Sequence, residues 1–236
     1  MFCWLLLMLF GFTTQAQENK PKNVLFIIVD DLRPILPTYG ANQVVAPNIT
    51  AFAENAVQFN NAFDNIPTCG ASRASILTGI RPTRKYFKKY TTSISNDMPD
   101  AITFPGLLKD NGYTTISNGK ISHNRDDMAH TWSEIWRPKG KYNNQDYVDT
   151  KTSETLEKEG LPGVYPFERL DVADVAYKDG KIANKAVKDL KKLKKSGKPF
   201  LLAVGFLKPH LPFNAPSKYW DYYDEEDIQL LSLIHI

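Results

Sequence analysis

Four short stretches carry side chains able to do chemistry. The first is Cys69-Gly70-Ala71-Ser72-Arg73. Its thiol stands just before a helix read over Ser72–Leu77, with Gly79 as the C-cap. Free N–H groups at a helix start favour negative charge, and Arg73, one turn on, can reach back toward the sulfur. Cys69 is therefore either a reactive atom in an electropositive corner or a small buried hydrophobe. The second stretch is Asp30-Asp31, which ends an apolar run. Adjacent carboxylates at the C-terminal end of a buried strand lie where α/β folds place ligands. A divalent cation relieves their repulsion most simply; a solvated turn or an N-cap is the other reading. The third is Gly119-Lys120-Ile121-Ser122-His123. Lys120 and His123 either face one crevice or are a solvated lysine and a structural histidine. The fourth is Lys208-Pro209-His210-Leu211-Pro212, where two prolines leave His210 little backbone freedom.

The elements that must position these groups follow from pattern. Asn23–Val29 is continuous, apolar and β-branched, as expected of a buried, central, parallel strand. Pro47 opens a helix whose apolar face is Ile49, Phe52, Ala53 and Ala56. Val57–Phe63 alternates toward a strand, and residues 85–100 show no period and read as loop. Thr103 caps a helix with Pro105 in its first turn, Leu107 and Leu108 inward, and Asn111-Gly112 as the stop. Tyr113–Ile116 reads as the strand that leads to Lys120. Val172–Lys195 reads as an amphipathic helix with Ile182, Val187, Leu190 and Leu193 on one face. Phe200–Phe206 is a second buried strand, leading to His210. Alternating strands and helices of this kind give an α/β fold with a mainly parallel sheet sandwiched by helices.

Two basic stretches stay open. Arg81-Pro82-Thr83-Arg84 is a solvated loop or a hold on an anionic substrate. Lys191–Lys195 is a solvated face near a helix C-terminus, where positive charge is favoured, or a polyanion contact. Residues 124–169 are the least readable; Trp132, Trp136, Tyr142 and Tyr147 either pack on the domain or stack on sugar rings.

The chain has 236 residues, 42% hydrophobic, with a net charge of +3. That charge is too small to point to nucleic acid, and no basic cluster with interleaved aromatics occurs. Phe2–Phe12 is apolar but too short to span a bilayer. It leads into Thr14-Gln15-Ala16, so residues 1–16 read as a secretory signal without stable membrane insertion. Export to the periplasm or the exterior follows, or to the lysosome in a eukaryote. Cleavage removes Cys3 and leaves Cys69 alone, so no intramolecular disulfide forms. A leftover cysteine in an exported protein asks for a special role.

The residues supply one. Cys69-x-Ala71-Ser72-Arg73 followed by Leu77-Thr78-Gly79 resembles the signature of the type I sulfatases, in the alkaline-phosphatase-like superfamily. Val29–Pro34 with Tyr39-Gly40, and Gly119-Lys120-x-x-His123, are similar to two further stretches of that family. Gly205-x-x-Lys208-Pro209-His210-x-Pro212-Phe213 brings the likeness nearest to the iduronate-2-sulfatase branch. The family's usual proline is Ala71 here, which leaves open which maturation enzyme acts.

The resemblance implies a sulfuric ester hydrolase acting on a sulfated polysaccharide or glycosaminoglycan. It implies that a formylglycine-generating enzyme oxidises Cys69 to formylglycine, and that Asp30, Asp31 and residue 69 bind one calcium ion. Arg73 and Lys120 would neutralise charge, His210 would protonate the leaving oxygen, and His123 would take a proton during sulfate release. A phosphodiesterase or phosphonate hydrolase of the same superfamily, or an inactive glycan-binding relative, are the alternatives. It further implies that residues 17–230 are the N-terminal part of a longer catalytic domain, with more metal ligands and a further lysine beyond them. Residues 231–236 back-translate as a sequencing-library adapter and read as an artefact.

Overall fold

The computed structural model describes residues 21–138, 147–149, 167–224 and 226. The expected signal, Tyr142 and the expected artefact at 231–236 lie outside them. In chain order the elements are β1 (Val24–Val29), α1 (Pro47–Ala53), α2 (Cys69–Thr78), α3 (Ile94–Asp97) and α4 (Phe104–Asp110). There follow β2 (Thr114–Gly119), β3 (Glu134–Trp136), β4 (Phe167–Leu170), α5 (Lys178–Ser196), β5 (Phe200–Phe206), β6 (Phe213–Pro216) and α6 (Ser217–Trp220).

Four strands form a parallel sheet in the order β1-β5-β2-β3. β5 is the inner strand, pairing Ala203 with Phe26 of β1 and Leu202 with Ile116 of β2. Its seven residues are buried or nearly so, which is why both faces read as apolar. Among the described residues β1 is an outer strand, not the central one expected. Its apolar run is continuous, yet Leu25 and Ile27 are 48% and 55% exposed on the face that carries α5. β4 and β6 pair in parallel as a separate two-stranded sheet.

Helices cover both faces of the larger sheet. On one, Ala71, Ala74 and Leu77 of α2 pack with Leu201 and Ala203 of β5, together with Phe87, Ile94 and Trp132. On the other, Ile182, Ala186 and Leu193 of α5 pack on Ile116, Leu202 and Val204. The inward stripe of α5 thus runs through Ala186, and Val187, expected inward, is half exposed. Trp132 is buried in the first core and Trp136 packs on the second, so both serve packing.

Local chemistry sets the helix ends. Thr103 Oγ1 accepts from the Gly106 N–H, and Pro105 stands in the first turn of α4. Leu108 turns toward the core, whereas Leu107 is exposed. Gly79 and Gly197 end α2 and α5 in the left-handed conformation. α5 starts at Lys178, after a 3-10 turn at Asp174–Ala176, later than the reading from Val172. α1 forms behind Pro47 as expected, but no residue of it is buried. Val57–Phe63 is not a strand: among the described residues no neighbour pairs with it, and its apolar side chains stay open. The segment read as loop at 85–100 holds α3 and two fully buried side chains, Phe87 and Ile94. Among the described residues, no helix is long and apolar enough to cross a membrane.

Candidate active site

β1, β5 and β2 are neighbours, so their C-terminal ends deliver Asp30, Lys208-Pro209-His210 and Lys120 to one edge of the sheet. β2 runs on to Gly119, three residues past the expected Ile116. Gly119 has φ +75, and a Cβ at Gly205 would stand 2.0 Å from the Lys120 carbonyl oxygen. Two glycines facing each other let β2 turn at its end, and Lys120 leaves the sheet toward β1.

Asp30 is the centre of what they meet. It is 4% exposed. The Arg73 Nη2 donates to its Oδ1 at 2.7 Å, and Lys120 Nζ donates to its Oδ2. Burial alone would raise the Asp30 pKa; the Arg73 and Lys120 charges outweigh that and hold it below 3.8. Arg73 also donates to the carbonyl oxygens of Lys120 and Ile121, so α2 is tied to the chain leaving β2.

Cys69 is the first residue of α2, three residues earlier than the expected helix start. The helix can begin here because Gly70 has no side chain: a Cβ would lie 2.0 Å from the Tyr90 carbonyl oxygen. Thr68 flanks it in extended conformation and its side chain makes no cap, so the first N–H groups of the helix remain open at residue 69. The Cys69 Sγ stands 3.3 Å from His123 Nδ1. His123 is held by more than its own chain. Arg137 donates to the carbonyl oxygens of Ser122 and His123, and the Tyr90 ring meets the imidazole edge-on at 6.0 Å. Burial, then the Lys120, Arg73 and Arg137 charges, hold the His123 pKa below 6.5. At neutral pH it is a neutral base beside residue 69.

Asp31 differs from its neighbour. Its φ is +56 and its side chain is 56% exposed. His210 Nε2 faces it at 3.9 Å, while His210 Nδ1 lies 2.8 Å from the Leu211 carbonyl oxygen. A carbonyl only accepts, so Nδ1 bears the hydrogen, and Nε2 faces Asp31, which lines a cavity. That cavity, about 320 Å³, is lined by Asp30, Asp31, Asp64, Cys69, Ser72 and Arg73 among others. Ser72 Oγ donates to Asp64 at 2.8 Å.

The donor set suits a hard cation in kind but not in number. Calcium takes six to eight oxygens. Asp30 and Asp31 offer four, and both oxygens of Asp30 already face a cation. Among the described residues no three His, Cys, Asp or Glu side chains converge on one point. Asp30 and Asp31 could therefore supply at most part of such a shell.

All seven expected residues, then, lie at one end of the sheet. Tyr90, Arg137, Asp64 and Gly70 were not expected. Only Gly70, inside the Cys69 stretch, carried a local cue; the other three act across the fold.

A model of the family described as Sulfatase matches residues 22–231. Human iduronate 2-sulfatase is 38% identical over 93% of this chain. The phosphonate monoester hydrolase of Agrobacterium radiobacter shares the fold, with a TM-score of 0.63 at 20% identity over 89% of this chain and 45% of that one. So does an alkaline phosphatase superfamily protein of Vibrio parahaemolyticus, at 0.51 and 21%, over 91% of this chain and 45% of that one. The chain spans 41% of the length of the human enzyme. Because that family model spans nearly all of the chain past residue 21, this chain belongs to the sulfatase family.

Proposed function

We propose that the full-length protein removes sulfate from a sulfated polysaccharide or glycosaminoglycan, with residue 69 as formylglycine. One observation carries this reading: Cys69 opens α2 with its Sγ 3.3 Å from a neutral His123, at the rim of the Asp30–Arg73–Lys120 cluster. The name of the human relative, iduronate 2-sulfatase, supports a sugar 2-O-sulfate as the ester cleaved. Export by residues 1–16 is part of the proposal, since sulfated glycans lie outside the cytoplasm.

The chain's own residues divide the work. Oxidation of Cys69 to an aldehyde supplies, on hydration, one hydroxyl to attack sulfur and a second whose proton permits sulfate release. His123 Nδ1, at residue 69, takes that proton; its low pKa keeps it free to do so at neutral pH. Arg73 and Lys120 sit where negative charge grows on the sulfuryl oxygens, and their positions are fixed beforehand by Asp30. As an imidazolium, His210 would carry a proton on Nε2, the atom that faces Asp31, and would give it to the departing sugar oxygen. Asp30, Asp31 and residue 69 would be this chain's share of a calcium shell, and the ion, when bound, would supply Lewis acidity.

Mass spectrometry of the peptide holding residue 69, from protein made in its natural host, tests the nucleophile. The expected mass is that of the aldehyde or its hydrate; an intact thiol sinks the mechanism. Turnover of sulfate monoesters against phosphate and phosphonate esters tests the reaction. Faster cleavage of the phosphorus esters would make the protein a phosphonate or phosphodiester hydrolase instead.

A further inference from the structure

The loop between α2 and α3 holds three lysines that the chemistry above does not use. Lys85, Lys88 and Lys89, with Thr91, Thr92 and Asp97, line a separate cavity of about 250 Å³. All three lysines are exposed, and none of their ammonium groups has a carboxylate partner among the described residues. The one acid on the cavity wall, Asp97, accepts through Oδ2 from the Phe87 N–H at 2.8 Å. One carboxylate thus faces three ammonium groups, and a cleft lined by one sign of charge concentrates counter-ions.

The loop is built rather than slack. Phe87 is fully buried with φ +56, a conformation that non-glycine residues hold only when their surroundings enforce it. Thr83 Oγ1 accepts from the N–H groups of Lys85 and Tyr86, and Thr92 Oγ1 accepts from the Lys89 N–H. Asp127, itself buried, accepts from the N–H groups of Ile94 and Ser95 and from both serine hydroxyls, Ser93 and Ser95. Solvated lysines on a mobile loop need none of this. The loop also abuts the active site: Tyr90, next to Lys89, sets its backbone against Gly70 and its ring against His123.

We propose that this lysine cavity is a second anion subsite, which takes a sulfate or carboxylate on a sugar flanking the one that is cleaved. The proposal rests on the sulfatase reading and narrows it to oligomeric, multiply charged substrates. A residue-69 site alone binds one sulfate; Lys85, Lys88 and Lys89 add a grip that only a longer glycan can use.

The test compares the full-length protein with its K85Q/K88Q/K89Q variant on two probes. For a heparin-derived sulfated tetrasaccharide, the variant should bind about tenfold more weakly, with a flatter dependence on salt. For 4-nitrophenyl sulfate, a monoester with a single charged group, KM should not change. Unchanged tetrasaccharide affinity in the variant overturns the proposal, and so does an equal loss on both probes. Calorimetry in a Cys69→Ala background reads binding without turnover. Lysine-dependent binding there supports the subsite even if the enzyme cleaves no sulfate ester, so failure of the subsite and failure of the sulfatase reading give different results. No tetrasaccharide binding by either form overturns the subsite.

Discussion

Two buried carboxylates stand on either side of β2, and they have different jobs. Asp30 is 4% exposed and Asp189 is 5% exposed. Each is met by a cation: Asp30 by Arg73 and Lys120, Asp189 by Lys185. Each ties a helix to the sheet. Asp189 does so through Asn118 of β2, whose Nδ2 donates to it at 2.8 Å, and Lys185 continues to Glu134 of β3. The Asp189 network ends at the surface. The Asp30 network ends in a cavity with a thiol and a second carboxylate on its wall, and a neutral histidine stands beside that thiol. Burial and pairing therefore do not mark an active site. What marks it is paired charge that opens onto a concavity beside a nucleophile.

Breaking that contrast starts with the nucleophile, where the largest effect is expected. In the full-length protein, Cys69→Ala should lower sulfate-ester turnover by about 10⁴–10⁶-fold, the range seen when a covalent nucleophile is removed. Its melting temperature should stay near wild type, since the Cys69 side chain is only partly buried. A large drop in melting temperature would put Cys69 with the packing residues instead.

Asp30→Ala comes next, measured by denaturant unfolding in the presence of a chelator. It leaves the Arg73 and Lys120 charges buried and unpaired, a change that costs about 3–5 kcal/mol. Asp189→Asn, its counterpart, keeps the shape and leaves Lys185 with Glu134, so about 1–3 kcal/mol is expected. Turnover should vanish in the first and persist in the second. If both variants lose turnover alike, the two networks are not functionally distinct.

Gly70→Ala sharpens the comparison within the site. The added Cβ meets the Tyr90 carbonyl at 2.0 Å, a backbone atom that cannot swing aside. Either the start of α2 or the 85–92 loop must move, and the Cys69–His123 spacing moves with it. A shift of about 1 Å at a reacting group can cost about 10²-fold in rate. The expected result is a fall in kcat of that order with substrate affinity nearly kept.

These four residues also show how much could be read from the chain without coordinates. Asp30 and Lys120 were legible because each ends a strand whose apolar run is unmistakable, and strand ends are where α/β folds place ligands. α4 and β5 were legible because a cap, a proline, a glycine and an apolar run are local facts. Asp189 was not legible: within its helix it is one polar residue among lysines, and its partner Asn118 is 71 residues away. Tyr90, Arg137 and Phe87 were hidden for the same reason, since their contacts cross the fold. The alternation at Val57–Phe63 misled because a strand needs a neighbour, and none pairs with it among the described residues; Val57 is 82% exposed. Val187 misled by one position: Ala186 is too small to stand out in a pattern, yet it is the residue that packs.

The smallest effect tests the Asp189 side alone. Burial would lower the Lys185 pKa, but its hydrogen bonds to Asp189 and Glu134 and their charges outweigh this and raise it above 10.5. A pKa raised by folding means that the folded chain holds the proton more tightly than the unfolded chain. The stability from this pair is therefore complete below pH 10.5 and is lost as pH climbs through the raised value. The informative quantity is the difference between two proteins at the same pH. The melting temperature of wild type should exceed that of Lys185→Gln at pH 8, and the gap should close above pH 10.5. A gap that persists at high pH would mean that Lys185 stabilises α5 through the packing of its stem, not through its charge.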